Sequence, residues 1–172
     1  RRAGAPASKL KGGNMKLTAI TAAATLVAGM VYAAPVAPTD VVYTEYGEIE
    51  QSLTGVPGDP AAGLEVMVDR GLGNCVACHK VGQLPDVPFQ GEVGPELTWS
   101  GEVRSEAELR GIVANAKMAF EGTVMPAFYK TEGFVRPGNG YTGKAAEGAI
   151  EPILSAQQIE DVVAFLLTLK EE

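Results

Sequence analysis

Residues 73–80 read GNCVACHK, and this stretch decides how the whole sequence is understood. Cys75 and Cys78 are the only cysteines among 172 residues, and His79 is the only histidine. Two thiols and one imidazole thus crowd into five positions, and neither residue type recurs. A disulfide between Cys75 and Cys78 would close a very short loop and remove little chain entropy, so stability alone does not account for the pair.

Three other chemistries use such residues. A structural zinc site takes thiolates and imidazole but needs a fourth ligand, and no further Cys or His exists to supply it. A thioredoxin-like dithiol expects a βαβ context, and no segment alternates apolar and polar residues convincingly. The Cys-x-x-Cys-His spacing is the attachment signal for c-type haem. Each thiol adds across one haem vinyl group to form a thioether, and two intervening residues let one turn of chain reach both. His79 then projects over the ring to bind iron. Cys75, Cys78 and His79 are therefore the expected attachment residues and proximal ligand.

Upstream of this motif the sequence carries an export signature. Residues 1–14 are basic and glycine-rich, and are read as lying outside the folded protein. Residues 15–33, MKLTAITAAATLVAGMVYA, place a lysine before an apolar run that ends Val31-Tyr32-Ala33, the small-x-small pattern of a signal peptide. The run is short for a membrane span, which takes about 20 apolar residues. A periplasmic location with no membrane attachment after cleavage is expected. An oxidising compartment would normally pair or modify free thiols, and thioether formation explains how these two persist. The formal charge of the whole chain is −7. Five basic residues and no acidic ones precede the cleavage point, so the remainder carries −12. That surface disfavours nucleic acid and anionic lipid, and steers basic protein partners.

The remaining 139 residues suit one domain. Residues 34–59 are turn-rich, with PVAP and GVPGDP, and predict an extended arm with little regular structure. A domain over 60–172 follows. Asp59 as N-cap and Pro60 at the first helical position predict a helix to about Gly73. Its stripe of Leu64, Met67, Val68, Gly71 and Leu72 would carry Cys75 onto the inward face. Ser105 with Glu108 makes a capping box for a helix to about Lys117, with Leu109, Ile112, Val113 and Ala116 inward. Ser155 with Gln158 opens the last helix, whose apolar positions Ile159, Val162, Val163, Phe165, Leu166, Leu167 and Leu169 cover much of its circumference. The fold class is all-α, with three main helices. The connecting loops are long for a compact domain unless something organises them, and a large apolar cofactor would do so.

With one histidine, a second imidazole ligand within the chain is impossible, which leaves lysines, methionines or a vacant site. Met15 and Met30 leave with the leader, Met67 belongs to the helix entering the attachment motif, and Met118 lies off the stripe of its helix. Met125 stands before Pro126, which blocks regular structure and lets the loop project the thioether. Met125 is therefore the expected sixth ligand, and a His/Met pair favours ferrous iron and electron transfer. In GEVGPELTW, residues 91–99, the Pro95 carbonyl is the candidate acceptor for the His79 Nδ1–H, and Leu97 a residue packing on the haem. Trp99, Phe128 and Tyr129 are candidates for covering haem edges.

The order of attachment motif, Gly94-Pro95 with Leu97, Met-Pro loop and last helix resembles class I cytochromes c. A narrower resemblance lies in SLTGVPGDPAAG (52–63), GNCVACH (73–79), VGPELTWSG (93–101), TVMPAFYKTEGF (123–134) and ILSAQQIEDVVAFLLTLK (153–170). These look like the X subunits of SoxAX cytochromes of bacterial sulfur oxidation. The resemblance implies a heterodimer with an A-type haem subunit that acts as an L-cysteine S-thiosulfotransferase, joining thiosulfate to the SoxYZ carrier. It implies sulfur chemistry on the partner's haem, with this chain passing electrons to a small cytochrome c. A free-standing periplasmic shuttle is the alternative, and the 34–59 arm, open for a partner, would argue against it. The sequence departs from class I cytochromes at Gly71 and Gly73, where an aromatic packing against the last helix is expected, and in the glycine-rich stretch 136–148.

Overall fold

The structure, a computed structural model, describes Gly4 and residues 34–171. The chain divides into two units, residues 1–30 and 31–172, and the second holds everything described below. The expected leader, 15–33, lies outside the described residues, as does 1–14 apart from Gly4.

Among the described residues there are four α-helices: α1 Pro60–Val68, α2 Ser100–Val103, α3 Glu106–Asn115 and α4 Ala156–Thr168. Among the described residues the sole extended pairing is an isolated antiparallel bridge between Gly138 and Ala145, so the domain is all-α as expected. Both capping boxes form. Glu108 N–H donates to Ser105 Oγ at 3.2 Å and Ser105 N–H to Glu108 Oε2 at 2.7 Å. At α4 the reciprocal bonds between Ser155 and Gln158 are 3.2 and 2.8 Å. Each box satisfies backbone donors that a helix start otherwise leaves open.

Helix α4 lies at the centre, packed against α1, α3 and α2. Ile159, Val162, Val163, Phe165 and Leu166 are buried on it, joining Met67 of α1 and Leu109 and Val113 of α3. Close approach of α1 to α4 depends on Gly63. A Cβ there would stand 2.0 Å from the Asp161 carbonyl oxygen and 3.0 Å from Phe165 Cβ.

Helix α1 is shorter than its apolar stripe predicts. It ends at Val68 because Asp69 recaptures the chain: its Oδ1 accepts from Gly71 N–H at 2.6 Å, and its carbonyl accepts from Leu72 and Asn74 N–H at 3.2 and 3.0 Å. A side-chain bond to the backbone two residues on offers a turn in place of the next helical rung. Asn74 then takes φ 46°, a left-handed conformation that asparagine tolerates better than most residues. Cys75 therefore arrives from a turn into a 3-10 segment, Cys75–Ala77, and not along a continuing helix face.

Residues 34–59 are irregular, as predicted, apart from a 3-10 turn at Pro38–Asp40, but they do not form an open arm. Ile49 and Leu53 are buried in the core, Val36 N–H donates to Leu53 O at 2.8 Å, and the Tyr129 hydroxyl donates to Val36 O at 2.5 Å. Packing raises the hydroxyl of Tyr43 from the ordinary 10.0 to about 12 through burial, and Tyr129 shifts in the same direction for the same reason.

A buried charge cluster seats this segment. Arg110 of α3 and Glu160 of α4 are 2% and 4% exposed. Arg110 Nε donates to the two Glu160 oxygens at 2.9 and 3.1 Å, Nη1 donates to Ile49 O at 2.9 Å, and Nη2 pairs with Glu106. Glu160 Oε1 also accepts from Leu53 N–H at 2.6 Å and Ser52 Oγ at 3.1 Å. The neighbouring Asp161 accepts from Asp59 N–H at 2.9 Å, so two consecutive acids of the last helix tie down the approach to α1.

Candidate functional site

The attachment turn is built by short backbone bonds. Cys78 and His79 N–H both donate to Cys75 O, at 3.1 and 2.9 Å. Residues 91–97 then run alongside it: Gly91 N–H donates to Val76 O, Gly94 N–H to Cys78 O, and Leu97 N–H to Lys80 O, all between 2.8 and 2.9 Å. This segment is the GEVGPELTW stretch, and its docking places three things against the imidazole and the turn.

The first is the Pro95 carbonyl, 2.7 Å from His79 Nδ1. A carbonyl only accepts, so the proton resides on Nδ1 and the lone pair of Nε2 is left for a metal. The second is Gly94, whose missing side chain makes room for the ring: a Cβ would lie 2.3 Å from His79 Cε1 and 2.6 Å from Nδ1. The imidazole is thus fixed in plane by the backbone of residue 94 and in rotation by the carbonyl of residue 95. The third is Leu97, half-buried against the main core.

The two thiols are not joined to one another. Cys75 is half-buried against the core and Cys78 exposed. Burial pushes the Cys75 thiol from 9.0 up to about 11, a backbone hydrogen bond partly opposing and the Cys78 thiol adding to the rise. Among the described residues no group of three His, Cys, Asp or Glu side chains is placed to hold a metal ion, which leaves the zinc alternative without a chelate. The donor set therefore fits haem attachment: two unpaired thiols separated by two residues, followed by an imidazole whose Nδ1–H is already committed and whose Nε2 is left for a metal.

Met125 lies on the loop after α3, half-buried and in contact with the core. Its N–H donates to Thr123 Oγ1 at 3.3 Å and its carbonyl accepts from Lys117 Nζ at 2.6 Å. Met67 is wholly buried in α1, where it is a packing residue. Met118, which ends the 3-10 turn after α3, is 48% exposed. Phe128 is buried in the core, and Tyr129 donates its hydroxyl proton to Val36 O. Trp99, the residue before α2, stays 40% exposed.

Sequence reasoning quoted Gly94 without seeing what its lack of a side chain accomplishes. Lys117 enters the sequence only as the end of a helix and Thr123 only within a quoted stretch, for neither bond to Met125 carries a signal in a single sequence. Sequence reasoning also missed Gln90, whose side chain braces the loop after the attachment turn, accepting from Val81 N–H at 2.6 Å and donating to Leu84 O at 2.6 Å.

The cytochrome c family profile matches residues 61–170. No curated protein matches. A chain from the crystal structure of SoxXA from P. pantotrophus is 62% identical, with a TM-score of 0.76, and the match covers 80% of this chain and 100% of that one. A family profile spanning helices α1 to α4 and a solved relative matched over its full length lead to one conclusion: the chain belongs to the cytochrome c family, whose haem c is covalently bound, as a SoxX-type cytochrome.

Proposed function

We propose that the chain is the electron-transfer subunit of a SoxAX-type thiosulfate-oxidising complex. The observation that carries this reading is the match to SoxXA at 62% identity along that chain's whole length. In this reading Cys75 and Cys78 hold one haem c, His79 is the proximal ligand and Met125 the distal one, with Leu97 packed on the ring. The haem supplies a one-electron store that fills and empties reversibly.

The protein's own residues do the rest. The Pro95 carbonyl keeps His79 on one tautomer and in one orientation. The Met125 thioether favours the ferrous state and raises the potential. His79 and Met125 would together supply both protein ligands to the iron, which would leave no place for substrate there, and no side chain of this chain would be catalytic in the strict sense. The sulfur chemistry, an L-cysteine S-thiosulfotransferase reaction on the SoxYZ carrier, belongs to an A-type haem subunit forming a heterodimer with this chain. Electrons then leave to a small cytochrome c, and a charge of −12 on the exported part steers partners with basic faces. The complex works in the periplasm, reached through the signal at 15–33. Among the described residues no helix is long and apolar enough to cross a membrane.

The alternative, a free-standing shuttle, gains one point from the fold: residues 34–59 pack on their own core, so they no longer argue for a partner. Coexpression with an A-type subunit decides between the two. Copurification of both haem chains, and reduction of this haem by thiosulfate only when the partner and carrier are present, is expected. A monomer that exchanges electrons freely with respiratory donors and binds no second haem chain would overturn the proposal.

A further inference from the structure

We infer that Lys117 is a positioning residue for the distal methionine: its ammonium grips the Met125 peptide and thereby sets how often the thioether leaves the iron. The inference rests on the reading of Met125 as a ligand, and adds what holds it there.

The loop that carries Met125 has little main-chain support. Thr123 N–H donates to Phe120 O at 3.2 Å, and the next backbone-to-backbone bond from a later residue is Tyr129 N–H to Ala114 O at 2.9 Å. Between these points the chain passes through Met125-Pro126, and proline has no N–H to contribute. The Met125 peptide is instead held by two side chains, one on each side. Thr123 Oγ1 accepts from its N–H at 3.3 Å, and Lys117 Nζ donates to its carbonyl at 2.6 Å. The second is the stronger bond, being short and charge-assisted.

Lys117 is itself aimed from rigid structure. It sits in the 3-10 turn Ala116–Met118 that ends α3, directly after the fully buried Ala116, and its N–H donates to Asn115 Oδ1 at 3.3 Å. Helix α3 is seated by the Arg110 cluster. A continuous path of fixed groups therefore runs from the core to the carbonyl next to the thioether. Opening of the loop must break the ammonium–carbonyl bond first, so that bond weights the equilibrium toward the ligated state. The ammonium also places a positive charge beside the distal ligand, which favours the reduced, less positive haem.

The test uses the haem-loaded, full-length protein in its ferric state and free imidazole as a competitor for the iron. Imidazole binds only when the methionine has left, so its apparent affinity reports the loop-opening equilibrium. Lys117→Met should raise that affinity roughly tenfold, the scale of one charge-assisted bond partly exposed to water, and should lower the reduction potential. Lys117→Arg should restore both. Thr123→Val, which removes the other anchor, should move affinity in the same direction by less. Lys144→Met makes the same charge change in the 138–145 turn and should leave imidazole affinity at the wild-type value. Equal affinities in Lys117→Met and Lys144→Met, with the fold intact by circular dichroism, would overturn the positioning role. Failure of the ligand reading looks different: Met125→Ala would then keep the sulfur-to-iron charge-transfer band of the ferric protein.

Discussion

Replacing Glu160 by alanine removes the acceptor on which three segments converge. The Arg110 guanidinium, its side chain only 3% exposed, loses the carboxylate that its Nε–H bridges and keeps Ile49 O and Glu106, whose own side chain is 60% exposed. Leu53 N–H, bonded to Glu160 at 2.6 Å, is left buried without an acceptor. Breaking a buried pair by deleting one member costs about 3–5 kcal/mol, because the surviving charge is stranded. The orphaned amide adds about 1–3 kcal/mol, but the two losses share one site and will not sum. A destabilisation of about 4 kcal/mol is expected, large against the 5–15 kcal/mol by which domains are typically stable. Guanidinium unfolding of the haem-loaded protein, followed by far-ultraviolet circular dichroism, measures it. Arg110→Met alone should cost a similar amount. The double variant Arg110→Met/Glu160→Ala should cost clearly less than the two singles combined, because no charge is then stranded. Glu106→Ala, acting on the solvent side of the same guanidinium, should cost below about 1 kcal/mol. A loss under about 1 kcal/mol for Glu160→Ala, or strict additivity in the double variant, would refute the view that this cluster seats the N-terminal segment.

Gly94→Ala should disturb the haem far more than Pro95→Ala. The first puts a Cβ 2.3 Å from the imidazole, whereas the second retains the backbone carbonyl that His79 uses; the yield of haem-loaded protein and the ferric spectrum report the difference. Met125→Ala should abolish the sulfur-to-iron charge-transfer band and lower the reduction potential, read by optical redox titration, while haem stays covalently attached through Cys75 and Cys78. Alkaline stability should fall between about pH 10 and 12. Tyr43 holds its proton more tightly folded than unfolded, so its contribution is complete below pH 10.0 and is lost as the pH rises toward about 12. Tyr43→Phe should flatten that decline in pH-dependent unfolding, and an unchanged slope would remove the phenol from the explanation.

What could be read from the sequence was what is local in it. Cys75, Cys78 and His79 lie within one turn, so their shared task follows from spacing. The capping boxes at Ser105 and Ser155 each occupy four consecutive residues, and both form. The breadth of α4's buried surface was legible from its apolar positions, but two buried positions on it are acids, Glu160 and Asp161, which periodicity assigns to solvent. Their partners are Leu53, 107 residues away, Arg110, 50 away, and Asp59, 102 away. Nothing in a helical stripe encodes a hydrogen bond across that separation. The early end of α1 was hidden for the opposite reason: the apolar stripe continues past Val68, and a single aspartate side chain outcompetes it. At Gly94 the decisive property is an absent atom. The Pro95 carbonyl was anticipated because imidazole ligands need an oriented Nδ1–H, a chemical demand that any fold must meet.

The seating of residues 34–59 on α4 bears on the order in which the molecule can be made. A chain that emerges N-terminus first presents Ile49 and Leu53 long before Glu160 exists to receive them. The earliest segment must therefore wait, unsatisfied, until the last helix is available, while the thiols of Cys75 and Cys78 pass in between. Closure of the core becomes possible only once α4 is present. A chain cut before α4 would leave its own beginning without a place to go.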